Sequence, residues 1–250
     1  MIISIFAFIV VFTIVVLVHE LGHFIAARNA GIKVYEFSIG FPFSPKIFTL
    51  FRHKETEFTL RLLPLGGFVS FSKDGNEDAK ELFEASYFKR ASIMSAGSLF
   101  NIAFAFLVFI PVFAFGKHIP FIDAIMSSIQ TLWAILSGTA IFLFNLLSGN
   151  SSMEGLAGPV GIALIAGQAA SKGFLHLMYF TGVLSMSLGI INLLPLPALD
   201  GGQLSMLLIE SIRRKPLNLK TYQIANLIGL SLFIILTVLV TYRDIVKLIA

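Results

Sequence analysis

Two histidines four residues apart, with a glutamate beside the first, stand inside the first long apolar run of this chain: His19, Glu20 and His23 in TIVVLVHELGHFIAAR. Four residues is about one helical turn, so both imidazoles face the same way and can hold one zinc ion at about 2.0–2.1 Å. Glu20, next to the first ligand, can act as general base toward a water at the metal. His-Glu-x-x-His recurs in soluble helices, and here its setting sharpens it. An ionisable side chain inside a membrane span costs about 2.5–3.5 kcal/mol on insertion scales, so such residues mark function. The plainer reading, three polar residues hydrogen-bonded between helices, leaves that cost unexplained. A catalytic zinc takes three protein ligands and keeps its fourth position for water, so the rest of the chain must supply one more donor.

Composition restricts where that donor comes from. Of 250 residues 56% are hydrophobic and 13% charged, with mean hydropathy +0.89, far from the roughly 25% charged content of soluble domains. The chain reads as an integral membrane protein. It has no cysteine, so a metal must be held by His, Asp or Glu. The formal charge of +4 does not point to nucleic acid, because the basic residues from Arg28 to Arg90 collect between the first two apolar runs and mark that segment as cytoplasmic. No basic residue precedes the first apolar run, which therefore reads as a retained span with its N-terminus outside rather than a cleaved signal.

In chain order, a first span covers about 2–27 and carries the histidines toward its cytoplasmic end. Residues 32–72 hold short β-branched and aromatic segments, KVYEFSI, PKIFTLF, EFTLRLL and GFVSFS, between turns such as GFPFSP and PLGG, and predict a small antiparallel sheet or pair of hairpins at the cytoplasmic rim. An exposed edge there could pair with an extended peptide; a plain hairpin is the alternative. A mixed-charge turn and short helix over 73–90 leads to a span at about 91–115. Within it Gly97 and Asn101 share a face, as a clamp between helices would. Residues 123–148 are long and apolar enough to span, yet the next segment has a single basic residue, Lys172, which suits a helix lying in or dipping from the outer face. GLAGPVGIA at 155–163 is turn or broken-helix punctuation. A span from about 174 to 196 runs inward into NLLPLPALDGGQL, and a last one covers 224–242. By that point the inward helix has used its length, so Asp200 arrives at the depth of His19 and His23 and supplies the missing ligand; a helix N-cap is its other reading. His53, His118 and His176 read as surface histidines.

HELGH, PLGGFVSF, AGSLFN, AGPVGIA and NLLPLPALDGG stand in an order that resembles the site-2 family of intramembrane zinc metalloproteases, in its RseP-like bacterial group, over nearly the whole chain. The resemblance implies a single domain over 1–250: an α-helical integral membrane protein with about four transmembrane helices, an outer-face amphipathic helix at 123–148 and a membrane-associated β-sheet on the cytoplasmic side. It implies zinc on His19, His23 and Asp200, with Glu20 activating water. It places substrate contacts at Asn192, Pro195 and Pro197, at the Gly97 and Asn101 motif, and at Gly67 and Phe68 of the β-loop. Three departures stand out: GKHIPF replaces the PDZ domains of close relatives, Ser98 stands where many members have Pro, and Ser187 where close relatives have Asn.

The expected function is zinc-dependent cleavage of transmembrane segments, as in regulated intramembrane proteolysis of anti-sigma factors or remnant signal peptides. The expected setting is the bacterial plasma membrane. Partners would be single-span membrane proteins and the lipid bilayer, with no nucleic acid and no PDZ-mediated partner. A metal transporter or a non-proteolytic scaffold is the competing class; a transporter wants a path to both faces and repeat symmetry, and the sequence displays neither.

Overall fold

A computed structural model describes residues 2–40, 44–63, 66–72, 80–150 and 155–249. The turns expected at GFPFSP and PLGG lie in part, and the turn at 73–79 wholly, outside the described residues.

The first helix, α1 (Ile2–Asn29), buries Ala7, Val11, Val15, His19 and Gly22, a stripe at helical spacing that places the first histidine in the packed seam. Its partner is α3 (Tyr87–Gly116). The two backbones close in at Gly22, where a Cβ would fall 2.5 Å from the carbonyl oxygen of Ala96. In lipid no hydrophobic effect drives helices together, and small residues that permit close van der Waals contact do so instead. Between these helices come β1 (Glu36–Ile39), β2 (Lys46–His53), β3 (Thr56–Arg61), β4 (Gly67–Ser70) and a single-turn helix, α2 (Lys80–Phe83).

The sheet forms where expected but is mixed rather than antiparallel. Its order is β2-β3-β1-β4, with β1 parallel to β3 and antiparallel to β4. The reason lies in burial. β1 buries Phe37 and Ser38 and takes a central place, slotted between two strands that are consecutive in sequence. β2 exposes every residue, Ile47, Phe48, Leu50 and Phe51 among them, and takes the edge. Lys46 Nζ reaches Glu57 at 2.7 Å across the β2–β3 pair. That hydrogen bond, with the nearby Arg52, holds the Glu57 carboxyl below its ordinary pKa.

α4 (Phe121–Leu147), α5 (Pro159–Lys172), α6 (Phe174–Asn192), α7 (Asp200–Arg213) and α8 (Leu219–Ile249) complete the chain. Five helices among the described residues are long and apolar enough to cross a membrane: α1, α3, α4, α6 and the Lys220–Ile249 part of α8. The count expected from the sequence was about four. The extra one is α4, which packs Ala124, Leu132 and Ile135 along a core of Ala105, Phe109 and Phe113 from α3 and Met186 and Ile190 from α6. That is helix lying along helix. The end of α3 meets the start of α6: a Cβ on Gly116 would touch Leu175 at 3.7 Å. α5 and α7 have no counterpart in the sequence reading beyond the broken-helix punctuation at 155–163 and the turn before Asp200. α5 begins with Pro159, whose missing N–H costs nothing in a first turn. The amides of Gly158 and Gly161 at that end both donate to the Asp244 carboxylate of α8, at 2.9 and 2.8 Å.

Candidate metal centre

Three side chains from two distant parts of the chain converge in the seam of α1 and α3. His19 Nε2 lies 3.2 Å from His23 Nε2 and 3.2 Å from Asp200 Oδ2, and His23 Nε2 lies 3.4 Å from the same oxygen. A tetrahedral zinc with bonds of about 2.0–2.1 Å has ligand-to-ligand edges of roughly 3.3 Å, so the donor set fits that ion. The chemistry of the atoms agrees. Asp200 Oδ2 is buried and accepts no well-formed hydrogen bond, and a carboxylate oxygen facing two imidazole nitrogens wants a cation between them.

The surroundings orient the rings. His23 Nδ1 lies 2.8 Å from the carbonyl oxygen of Ile93, which only a protonated Nδ1 can use. That fixes the tautomer leaving the Nε2 lone pair free for a metal. On His19 the far nitrogen, Nδ1, stands 3.4 Å from the amide nitrogen of Asn101, a residue with no exposed surface. The amide oxygen Oδ1 is buried without a partner. Gly97, one turn before Asn101, gives the rings their space: a Cβ there would come within 2.7 Å of His19 Cε1. Both residues of the Gly97 and Asn101 pair thus lie against the imidazoles.

Asp200 reaches the site through a compact turn. α6 ends at Asn192, and the chain folds back through Pro195 and Pro197 with Ala198 left-handed at φ 72°, a conformation that costs a non-glycine residue about 1–3 kcal/mol and collects at functional sites. Gly201 and Gly202 receive this turn, their absent side chains making room for the carbonyls of Leu193, Leu194 and Leu196. The N-cap position belongs to Leu199, and Asp200 is the first residue of α7. Its carboxylate goes to the histidines. The other end of α7 is tied down by a buried network that the sequence reading missed. Arg90, 3% exposed, donates to Glu210, 1% exposed, at 2.7 Å and to the Tyr222 hydroxyl at 3.0 Å. The second Glu210 oxygen accepts the Leu217 N–H at 2.8 Å. A glutamate inside the apolar stripe of a helix was the available signal.

Of the remaining expected residues, Asn192 is half-buried at the end of α6, while Pro195 and Pro197 are exposed just beyond it. Gly67 lies against Glu20, and Phe68 carries the Arg61 guanidinium 4.8 Å above its ring. Arg61 is itself held by Glu36 at 3.0 Å.

A sequence model described as Peptidase family M50 matches residues 7–236. A Clostridium perfringens (strain 13) protein assigned as a zinc metalloprotease is 29% identical over 325 aligned residues, covering 94% of this chain and 96% of that protein. Zinc metalloprotease RasP of Bacillus licheniformis is 25% identical over 418 residues, with 98% and 99% covered. The Bacillus subtilis protein named regulator of sigma-W protease RasP is 24% identical over 419 residues, again with 98% and 99% covered. Alignments of that length on a 250-residue chain mean that both RasP proteins carry long internal segments without a counterpart here.

Proposed function

The chain belongs to peptidase family M50, and we propose that within it this zinc metalloendopeptidase of the site-2 type cleaves peptide bonds in or beside the transmembrane helices of single-span membrane proteins. The observation that carries the reading is the convergence of His19, His23 and Asp200 beside Glu20 in a seam of apolar helices. Bound to the three donors, zinc would supply Lewis acidity toward the scissile carbonyl and lower the pKa of a coordinated water to about 7.

The chain's own residues do the rest. Glu20 takes the proton of the attacking water and delivers it to the leaving amine nitrogen. A helical substrate hides its carbonyls in its own hydrogen bonds, so it must unwind before it reacts. Edge strand β4 offers peptide groups with which an unwound segment can pair. Asn192, Pro195 and Pro197, at the turn leading to Asp200, stand where they can hold it. The Gly67 and Phe68 contacts belong to the same edge.

The protein is a multi-pass membrane protein. We place it in the bacterial plasma membrane with its N-terminus outside and the metal site toward the cytoplasm, on the basic segment between α1 and α3. The name of the B. subtilis relative ties that protein to sigma-W regulation, and by that likeness anti-sigma factors, with remnant signal peptides, are the substrate classes to try first. No PDZ-mediated selection is proposed. The test is Glu20→Gln. It should retain one zinc per chain while cleavage of a tagged single-span substrate falls at least about 100-fold. Undiminished cleavage removes Glu20 from the mechanism, and zinc flux into vesicles would favour a transporter instead.

A further inference from the structure

α7 is apolar outward and charged inward. Between Asp200 and Arg213 its only charged residue is Glu210, and that carboxylate is turned into the protein against Arg90. The opposite face carries Leu204, Leu208 and Ile212 at intervals of four residues, with Leu208 61% and Ile212 74% exposed. An amphipathic helix against water turns the other way. The level of its C-terminal end is set by its neighbours. Glu210 meets Arg90 in the first turn of α3, and Arg90 also donates to Tyr222 in the first turn of α8. α7 therefore ends where two membrane-length helices begin, near the exposed Tyr87 and Phe88, aromatic residues of the kind that collect at the headgroup level. Arg213, Arg214 and Lys215 follow at once, all exposed, and no acidic residue occurs from Ser211 to Arg243. An apolar stripe that runs into a cluster of unopposed cations is complementary to hydrocarbon beneath a negatively charged headgroup layer.

We propose that α7 is an interfacial helix: Leu208 and Ile212 lie in the cytoplasmic leaflet, and Arg213, Arg214 and Lys215 bind the headgroups of anionic phospholipids, so that lipid seats the helix that presents Asp200. The two ends are joined by one rigid element about 20 Å long. At one end Asp200 faces His19 and His23. At the other Glu210 holds both Arg90 and the Leu217 N–H of the basic loop. Lipid that holds the basic end therefore holds the carboxylate, and slows loss of the metal without touching it. The proposal rests on the reading of His19, His23 and Asp200 as a zinc site near the cytoplasmic face.

The chain has no cysteine, so Ile212→Cys can carry a single environment-sensitive fluorophore. With the full-length protein in phosphatidylcholine vesicles containing roughly a third phosphatidylglycerol, acyl-brominated lipid should quench this label at least about fivefold more than aqueous iodide does. A second measurement follows release of zinc from the wild-type protein to a chelator. Release should be about 5–20-fold slower with phosphatidylglycerol than in phosphatidylcholine alone. The combined change Arg213→Gln, Arg214→Gln and Lys215→Gln should abolish that difference, while Arg213→Lys, Arg214→Lys and Lys215→Arg should retain it. Stronger quenching by iodide, or equal zinc release from both vesicles, overturns the proposal. So does slower release on adding inorganic phosphate to pure phosphatidylcholine vesicles, which would make the cations a free-anion site. Protection of the label from both quenchers overturns it as well, because a second copy or a substrate helix would then cover the face. The two readings fail separately: a chain that binds no zinc in either vesicle strikes the metal centre, and the quenching measurement, which needs no metal, still decides the placement of α7.

Discussion

Asn101 presents its amide nitrogen toward His19 Nδ1 while its oxygen stays buried without a partner. If Nε2 is to give its lone pair to a metal, Nδ1 must carry the proton and requires an acceptor. Turning the amide by half a revolution satisfies both groups at once, and the two orientations have the same shape. Asn101→Asp, which has oxygens on both sides, should therefore keep zinc affinity near wild type, while Asn101→Leu should weaken it by about 10–100-fold; competition with a chelator measures both. Asp200→Ala should reduce zinc occupancy sharply and leave membrane insertion intact, and unchanged occupancy would move the third ligand elsewhere. The histidines and Glu20 were legible because their spacing is written within one helical turn. Asp200 could be paired with them through membrane depth. The Asn101 contact was not legible, since it depends on which side of α3 faces α1, and sequence does not carry that.

Helices were legible wherever an apolar run was long, as in α1, α3 and α6, and the strands wherever β-branched runs were punctuated. What failed was the expectation of purely antiparallel pairing, because β1 is buried between β3 and β4 and runs parallel to β3 rather than pairing with the strand next in sequence. α7 was also unread: its buried stripe of Met206, Leu207 and Glu210 holds a charge whose partner, Arg90, arrives from α3. A buried ion pair of this kind sets geometry more than it adds stability. Arg90→Met alone should cost about 3–5 kcal/mol by leaving Glu210 buried and unpaired, read as a lowered thermal midpoint in detergent. The double change Arg90→Met with Glu210→Leu should recover most of that loss. If Asp200 is set in place by the far end of α7, the recovered variant should still bind zinc more weakly than wild type.

The contact of Gly116 with Leu175 places the ends of the 117–173 excursion at one face, so α4 and α5 cross the bilayer together or not at all. Fourteen residues of α5 reach about 21 Å against the roughly 30 Å of hydrocarbon, which favours a pair of helices that dips and returns. The absence of cysteine makes the check direct: a single cysteine at Asn150 should resist a membrane-impermeant maleimide added from either side, whereas one at Lys117 should react from outside. Labelling of Asn150 from the cytoplasmic side would establish a full crossing. The wide separation of the ligands along the chain also has a meaning in time. About 180 residues lie between His23 and Asp200, and at synthesis rates of about 5–20 residues per second the nascent protein exists for about 9–35 s with the two imidazoles and without Asp200 to complete the set. During that interval it is a membrane protein whose candidate centre lacks one of its three donors, so a hydrolase that would otherwise be assembled among other newly inserted helices stays inert until Asp200 has been made.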